Sequence, residues 1–442
     1  MSIILRNQVN KIMTYEEAMA YMEKMGKKGS ILGLTPIRNL LDRLHNPQEH
    51  LQVIHVAGTN GKGSICTFLE MMYRAEGKYV GRYISPTLHC YLERFQINGE
   101  YMPEETFAGL LEQVLDVLQD MESEGEELPT AFEIETAVAF LYFLEQKVDL
   151  VILETGMGGR RDATNVVKTP LCTVFASISM DHMQFLGDTV EEIALEKAGI
   201  IKAGCPVVAY PNDTGILKIL RTEFDLCNAG QTVDRRKEIP VFDQVKKEDV
   251  SILSETLSES VFCYKGEQYR IRMPGTFQIF NAITAIETKL FLDGSLLGES
   301  LLNAYWEGRF EKISDKPLFI KDGAHNAGAV LALKESLEKH FTNRRFLFII
   351  GVLKDKEYDE MVRILCPMAE KIFVVTPANK RGLGGIILKN SILPYCKNVE
   401  VCPTVADAVE QAKKEWARYE EQGKSAVITA WGSLSYIGEI KG

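Results

Sequence analysis

Apolar residues in this chain keep changing period. Val53-Ile54-His55-Val56-Ala57 is a nearly continuous apolar run, the pattern of a buried strand. After Ser64 the spacing lengthens: Ile65, Phe68, Leu69 and Met72 fall at i, i+3, i+4 and i+7, one face of a helix. The two patterns then alternate. Further strands are predicted over Tyr79–Ile84, Val148–Glu154, Leu171–Ser177 and Pro206–Tyr210. Helices are predicted from Thr14, where Glu17 completes a capping box, to the Gly26–Gly29 cluster, and from Pro36 through Leu44. Others run from Pro103 to Met121, from Thr130 to Gln146 and over Val190–Ile200. Ser85 to Arg94 reads as irregular, and the acidic stretch Glu122–Glu127 as a solvated loop.

Gln231–Met273 is more charged and strand-like, an antiparallel excursion. A helix from near Phe280 to Asp293 follows, then a short Gly/Ser/Leu linker. From Lys316 the alternation restarts, with strands at Leu318–Lys321, Arg345–Ile350, Lys371–Val375, Val399–Val401 and Ser425–Thr429 separated by helical segments. Strands alternating with helices predict an α/β protein. At 442 residues the chain exceeds one ordinary core. We expect a phosphate-loop ATPase-like, doubly wound sheet domain over residues 1–303 and a smaller Rossmann-like α/β domain over 304–442.

Composition narrows the partners. The formal charge of −11 argues against nucleic acid or an anionic membrane as the main partner, because both require a basic surface. A local basic cluster can still hold a small anion. The nine cysteines are scattered without a C-x-x-C pair, which points to reduced thiols and the cytoplasm. Neither a membrane-length apolar stretch nor a signal-peptide pattern is present at Met1–Asn7 or beyond, so no membrane partner is expected.

The chemistry is concentrated after the first strand. Gly58, Gly61 and Gly63 allow the backbone to turn its N–H groups toward an anion. The following helix start adds partial positive charge, Lys62 a full one, and Ser64 a hydroxyl able to hold Mg²⁺. Spacing departs from the usual phosphate loop, since Gly63 separates Lys62 from Ser64. Glu154 ends a buried strand, the position of a Mg²⁺-holding acid in phosphate-loop proteins. Ser64, Ser85, Glu154 and Asp181-His182 all fall just past a predicted strand end, where ligands sit in such sheets. Mg²⁺ prefers oxygen, so His182 is a poor ligand on chemistry alone. Lys197, beside Glu196 on a helix, reads from its surroundings in sequence as a solvated surface lysine.

Several longer motifs carry a resemblance. G-T-N-G-K-G-S at Gly58–Ser64 resembles the phosphate loop of the Mur ligase superfamily, most closely its folylpolyglutamate synthase/dihydrofolate synthase branch. Ile31–Leu41, E-T-G-M-G-G-R-R-D-A-T-N at Glu154–Asn165, S-M-D-H-M-Q-F-L-G at Ser179–Gly187 and E-K-A-G-I-I-K at Glu196–Lys202 are similar to that branch too. So are G-R-F-E at Gly308–Glu311, D-G-A-H-N at Asp322–Asn326 and G-V-L-K-D-K at Gly351–Lys356. The motifs stand in the same order over nearly the whole chain.

The resemblance implies roles. Thr59, Asn60, Gly61, Lys62, Gly63 and Ser64 would bind ATP phosphates, with Asn281, Arg309, Asp322 and His325 completing the nucleotide site. Ser64, Ser85, Glu154 and His182 would serve two Mg²⁺ ions, with a carbamylated Lys197 as a further anionic ligand; K⁺ is an additional candidate cation. Lys62, Glu154, His182 and Lys197 would carry catalysis. The implied reaction joins L-glutamate to a folate or dihydropteroate carboxylate through an acyl phosphate, in a monomeric enzyme. The chain departs from the family where Ser-Pro-His reads Ser85-Pro86-Thr87, where a proline before G-R-F-E is Glu307, and where a His-Gln pair reads Phe277-Gln278. The rival readings are a cell-wall UDP-muramyl amino-acid ligase and an ATP-binding regulator without turnover.

Overall fold

A computed structural model describes residues 13–26, 33–229 and 241–441. Residues 1–12, the rest of the glycine cluster beyond Gly26, the start of the Ile31–Leu41 motif and the first part of the Gln231–Met273 excursion lie outside the described residues.

Eight strands make the first sheet: β1 (Val53–Ala57), β2 (Val80–Tyr83), β3 (Phe95–Ile97), β4 (Glu100–Tyr101), β5 (Leu150–Glu154), β6 (Cys172–Phe175), β7 (Val207–Ala209) and β8 (Phe242–Gln244). Their order is β4-β3-β2-β5-β1-β6-β7-β8. From β2 to β8 across the sheet neighbours run parallel, while β3 and β4 form an antiparallel edge. All five residues of β1 are buried, as its unbroken apolar run requires of a strand covered on both faces. Register sets the site: Val56 lies opposite both Glu154 and Val174, so the loops leaving β1, β5 and β6 emerge side by side.

Strands β9 (Val250–Glu255), β10 (Ser260–Tyr264) and β11 (Glu267–Ile271) form a separate antiparallel sheet, the expected excursion, but β8, within the same expected range, instead joins the first sheet in parallel beside β7. The last sheet contains β12 (Glu311–Asp315), β13 (Leu318–Lys321), β14 (Arg345–Ile350), β15 (Ala369–Val374), β16 (Val399–Val401) and β17 (Ala426–Trp431), ordered β12-β13-β17-β14-β15-β16. It is parallel except for the β12 edge. Leu257 and Phe277, from the first half, pack onto the apolar core of this last sheet, and Leu88 packs beside Tyr436 and Ile437.

Several expectations need correction. The helix expected near Phe280 spans Thr276–Asp293, because Gly275, at φ +101°, turns the chain four residues earlier. The Ser85–Arg94 stretch ends in a 3₁₀ turn, Tyr91–Arg94, and leads into the unforeseen β3–β4 hairpin. Its turn is Asn98-Gly99, both at positive φ, a dipeptide that signals a type I′ hairpin. The helix Thr214–Asn228, capped by Asp213, and the edge strand β12 were also unforeseen. The linker folds as a 3₁₀ turn, Gly298–Asn303, with Leu301 buried. The acidic stretch is not wholly solvated: Glu124 and Glu126 take Arg43 at 2.6 and 2.7 Å. Among the described residues no helix is long and apolar enough to cross a membrane.

Candidate active site between the two large sheets

The loop after β1 is held by sterics and by its neighbour. Gly61 has φ +89°, and a Cβ there would come within 2.5 Å of Asn281 Oδ1; a Cβ on Gly63 would meet the Trp306 ring at 2.7 Å. The N–H groups of Thr59 and Asn60 donate to the Ser177 carbonyl at 2.7 and 3.1 Å. Thr59 Oγ1 donates to the Ser179 carbonyl and accepts from the Ser179 N–H. The helix Lys62–Ala75 starts at once, and its first amides lack partners within the helix. They open on a cavity between the halves.

Every site residue expected from sequence lines this cavity. Thr59–Ser64, Ser85, Glu154, His182 and Lys197 come from the first sheet's loops and helices, Asn281 from the helix Thr276–Asp293, and Arg309, Asp322 and His325 from the second half. Lys62 Nζ lies 3.6 Å from Glu154 Oε1, both side chains being nearly buried. Burial raises the Glu154 carboxyl above its ordinary range, against the pull of Lys62, Arg309 and the Ser85 N–H. Arg309 is partly buried in the cavity wall, and the loss of hydration there lowers its pKa against the attraction of Asp322 and Glu154. Asp322 accepts the N–H groups of Phe310 at 2.6 Å and Ala324 at 2.7 Å, so its carboxylate braces the two loops that present Arg309 and His325. Asn281 Nδ2 donates to Gln278 Oε1 at 3.0 Å and the side chain rests on the Gly61 turn.

Lys197 overturns its reading as a surface lysine. The helix Val190–Ala198 turns it inward, where it is 4% exposed and Nζ donates to the Gly58 carbonyl at 2.9 Å. Burial, then the nearby Lys62, bring its pKa down to about 7. His182 and His325 are both pushed down to about 4, chiefly by burial, so both rings are neutral at pH 7. The His325 Nδ1 sits 2.8 Å from the Gly323 carbonyl, which assigns the proton to Nδ1 and leaves Nε2 as an acceptor.

Side chains from both halves meet at Asp181. Lys356 Nζ reaches Asp181 Oδ1 at 2.6 Å, and Asn326 Nδ2 donates to Oδ2 at 3.0 Å. Burial would raise the Asp181 pKa, but Lys356, then His182 and His325, hold it well below the usual carboxylate range. Asn326 and Asn60 exchange amide hydrogen bonds at 3.0 and 3.1 Å, tying the phosphate loop to the second half. Sequence reasoning gave Lys356 and Asn326 no role, although both sit in quoted motifs; Trp306 had no signal at all. The cavity also has apolar lining, from Tyr210, Phe277, Ala329, Ala332 and Leu333. Glu307, where the family has proline, lies outside this cavity: it takes His89 at 2.8 Å and Lys321 at 2.7 Å beside an adjoining one.

A hard cation fits the donors present. Glu154 offers a carboxylate, and Ser64 and Ser85 oxygens line the same cavity. Among the described residues no group of three or more His, Cys, Asp and Glu forms a complete metal cage, so a Mg²⁺ would complete its shell with phosphate oxygens and water.

The chain matches known proteins over nearly its whole length. Residues 56–288 match the Mur ligase middle domain and residues 308–430 the Mur ligase glutamate ligase domain. The dihydrofolate synthase/folylpolyglutamate synthase of Bacillus subtilis is 33% identical over 97% of this chain and 98% of its own. The folylpolyglutamate synthase of Mycobacterium tuberculosis, solved with ADP and AMPPCP, superposes with a TM-score of 0.85 at 25% identity, covering 96% of this chain and 97% of that one. The Thermotoga maritima folylpolyglutamate synthase gives 0.77 at 33% identity, over 96% and 95%. The cavity's phosphate loop, its two-sided lining and these matches together place the chain in the Mur ligase superfamily, within the folylpolyglutamate synthase/dihydrofolate synthase family.

Proposed function

We propose that this protein is an ATP-dependent ligase that joins L-glutamate to a folate, and to dihydropteroate where that is offered, by amide-bond formation. The observation that carries the reading is the single cavity in which the phosphate loop, Glu154 and Lys197 face Arg309 and His325 from the other half. The proposed domain division, 1–303 and 304–442, puts a catalytic contribution on each side of that cavity.

A carboxylate is a poor electrophile and must be activated. The terminal phosphoryl group of ATP passes to the acceptor carboxylate, giving an acyl phosphate and ADP. The glutamate amine then attacks the acyl carbon, the C–O bond to phosphate breaks, and amide and phosphate are released. The amides of the phosphate loop and Lys62 would hold the phosphates in line, and Arg309 would neutralise charge that develops during transfer. Mg²⁺, held by Glu154 with Ser64, Ser85 and His182, would supply Lewis-acid neutralisation of the phosphate oxygens. His325, whose Nε2 is left as an acceptor, lines the same space.

Lys197 is suited to carbamylation. Carbon dioxide adds to a neutral amine, forming an N–C bond and releasing a proton, and a buried lysine with its pKa near 7 supplies that neutral form. The product would be an anion beside the phosphate loop. Closure of the halves keeps water from the acyl phosphate, and the Asn60–Asn326 exchange supports such closure.

The test is ADP release measured with each substrate omitted in turn, and product mass read directly. Release that requires both glutamate and a pteroyl acceptor is expected. A purified protein silent with every such acceptor would sink the reading.

A further inference from the structure

Trp306 lies in none of the sequence motifs, yet it touches the phosphate loop from the other half's connection. Its ring lies against the loop: a Cβ on Gly63 would meet ring carbon Cζ2 at 2.7 Å and Nε1 at 3.2 Å, so only glycine leaves room for it. Gly63 is in the first turn of the helix Lys62–Ala75, where amides lack helical partners and are free for an anion. Three residues after Trp306 comes Arg309, a cation that the second half brings to the cavity. Trp306, Arg309 and Pro86 also line the adjoining cavity, so the indole belongs to a wall that the two cavities share.

A second set of contacts fixes the indole. The Arg82 guanidinium sits over its ring, with Cζ 5.2 Å from the centroid, within cation–π range. Arg82 belongs to β2, whose four residues are all buried. Its charge is held firmly: Nε lies 3.0 Å from Glu70 Oε2, Nη1 donates to Thr67 Oγ1 at 2.6 Å, and Nη2 donates to Gln96 Oε1. Thr67 Oγ1 in turn donates to the Gly63 carbonyl at 2.8 Å. Arg82 therefore reaches Gly63 by two routes, through Thr67 and through the indole. Burying a guanidinium with its carboxylate is costly, and apolar side chains would fill a strand centre at lower cost. What the planar, five-donor fork adds is a fixed orientation, which an apolar side chain does not provide.

We propose that Trp306 is a positioning residue for the ligation: seated on Gly63 and stacked with Arg82, it keeps the phosphate loop in register with Arg309. The inference rests on the ligase reading above. In-line transfer needs the loop amides and the opposing arginine on the same phosphoryl group at once, and a displacement of about 1 Å costs on the order of 100-fold in rate. Loop and arginine come from different halves, so their spacing is set by contacts that touch both. Trp306 is such a contact at the Gly63 end of the loop, as the Asn60–Asn326 exchange is at the other.

The experiment compares the full chain with Trp306→Leu, Trp306→Phe and Arg82→Gln, in steady-state ligation and in AMPPCP binding. Trp306→Leu should lower kcat about 10- to 100-fold while KM for ATP moves less than about threefold, because alignment with Arg309 counts in transfer rather than in ground-state binding. Trp306→Phe keeps an aromatic face for Arg82 and should recover kcat to within about threefold of the parent. Arg82→Gln should cost about tenfold alone and clearly less when Trp306 is already Leu. Unchanged kcat in Trp306→Leu, a loss confined to KM, or no recovery in Trp306→Phe overturns the positioning role. Losses that multiply in full in the double variant remove the stack with Arg82 from it. A readout without turnover separates this from the ligase reading. The other two tryptophans, Trp416 and Trp431, do not line the cavity. AMPPCP should therefore change the tryptophan emission of the parent and leave that of Trp306→Phe unchanged. Equal responses in the two, with AMPPCP bound to both by calorimetry, overturn the seating of Trp306 on the loop even in a chain that ligates nothing.

Discussion

Two buried carboxylates join the halves of this molecule, in places that differ in what surrounds them. Asp181 takes Lys356 and Asn326 inside the catalytic cavity, at 2.6 and 3.0 Å. Glu255, at the end of β9, takes Lys339 at 2.7 Å, His340 at 3.1 Å and Thr276 Oγ1 at 2.9 Å, away from that cavity. Lys339 and His340 close the helix Ala327–His340, where the helix dipole favours cations and preorganises them. The Asp181 cluster instead is built from loop ends whose charges are those an anionic ligand would compete for. Similar distances are therefore expected to serve two ends: Glu255 to fasten the halves whatever is bound, and Asp181 to join them in a way that ligands rearrange. Changes at the cavity should register in turnover, and changes at Glu255 in stability.

The sharpest break in that comparison is Lys197→Ala. It should cost at least about 10³-fold in turnover, the loss of an organised charge at the reacting phosphates, with secondary structure retained by circular dichroism. Short carboxylates should restore part of the rate by standing in for the carbamate; full activity in Lys197→Ala would remove the carbamate from the mechanism. Next is Lys356→Met, which strands Asp181 buried without its main partner. A stability loss of about 3–5 kcal/mol in chemical denaturation is expected, together with a fall of about 100-fold in kcat/KM. Adding Asp181→Asn should return much of the stability and little of the activity. A double variant that recovered activity as fully as stability would show the pair to be structural only.

The same contrast explains what the sequence made legible. Asp181, Asn326 and Lys356 all lie in motifs that can be read from residue order, and so do the phosphate-loop residues, Glu154, Lys197, Arg309, Asp322 and His325, because chemistry at a phosphate demands particular residue types at strand ends; Tyr210, Trp306, Ala332 and Leu333, which line the same cavity, lie in none. Glu255, Lys339 and His340 lie in no motif. Their contact depends on how an antiparallel sheet and a distant helix dock, which no local period encodes. Lys197 shows the limit from the other side: its neighbours in sequence are those of a surface lysine, and only the docking of its helix against the Gly58 loop buries it. Element boundaries shifted where a glycine at positive φ, such as Gly275, decided the turn. The hairpin at Asn98-Gly99, by contrast, carries a purely local signal in its turn dipeptide.

Glu255→Gln comes third in size. It keeps a hydrogen-bond acceptor and loses the charge, so about 1–3 kcal/mol of stability should go while kcat changes little. The pH dependence has a definite sign. Burial works against ionisation of Glu255, but hydrogen bonds from His340, Lys339 and Thr276 prevail and hold its pKa down to about 2, below the ordinary glutamate range. A carboxylate depressed on folding contributes stability that is fully present above its unfolded pKa and disappears as pH falls through the folded one. The gap between the parent and Glu255→Gln should therefore be constant above about pH 5 and shrink from there toward pH 2. A gap that widened on acidification would mean that Glu255 is not the charged partner.

The smallest effect expected is at Glu307, and it tests whether distance alone measures a bridge. Glu307 touches His89 and Lys321 at 2.8 and 2.7 Å, as closely as Glu255 meets Lys339. Its side chain is 30% exposed and that of His89 43%. Water therefore screens the pair with His89, and salt screens it further. Lys321 is buried, but it does not depend on Glu307: Glu311 lies 3.5 Å away, and the Ile440 carbonyl accepts from Nζ at 3.4 Å. Glu307→Gln should then cost less than about 1 kcal/mol, and less again at high ionic strength. Measured beside Glu255→Gln in the same buffer, it should rank clearly second. A loss above about 2 kcal/mol that persists in high salt would mean that position between the two large sheets, rather than burial, sets the strength of these bridges, and would remove the distinction between the two carboxylate clusters.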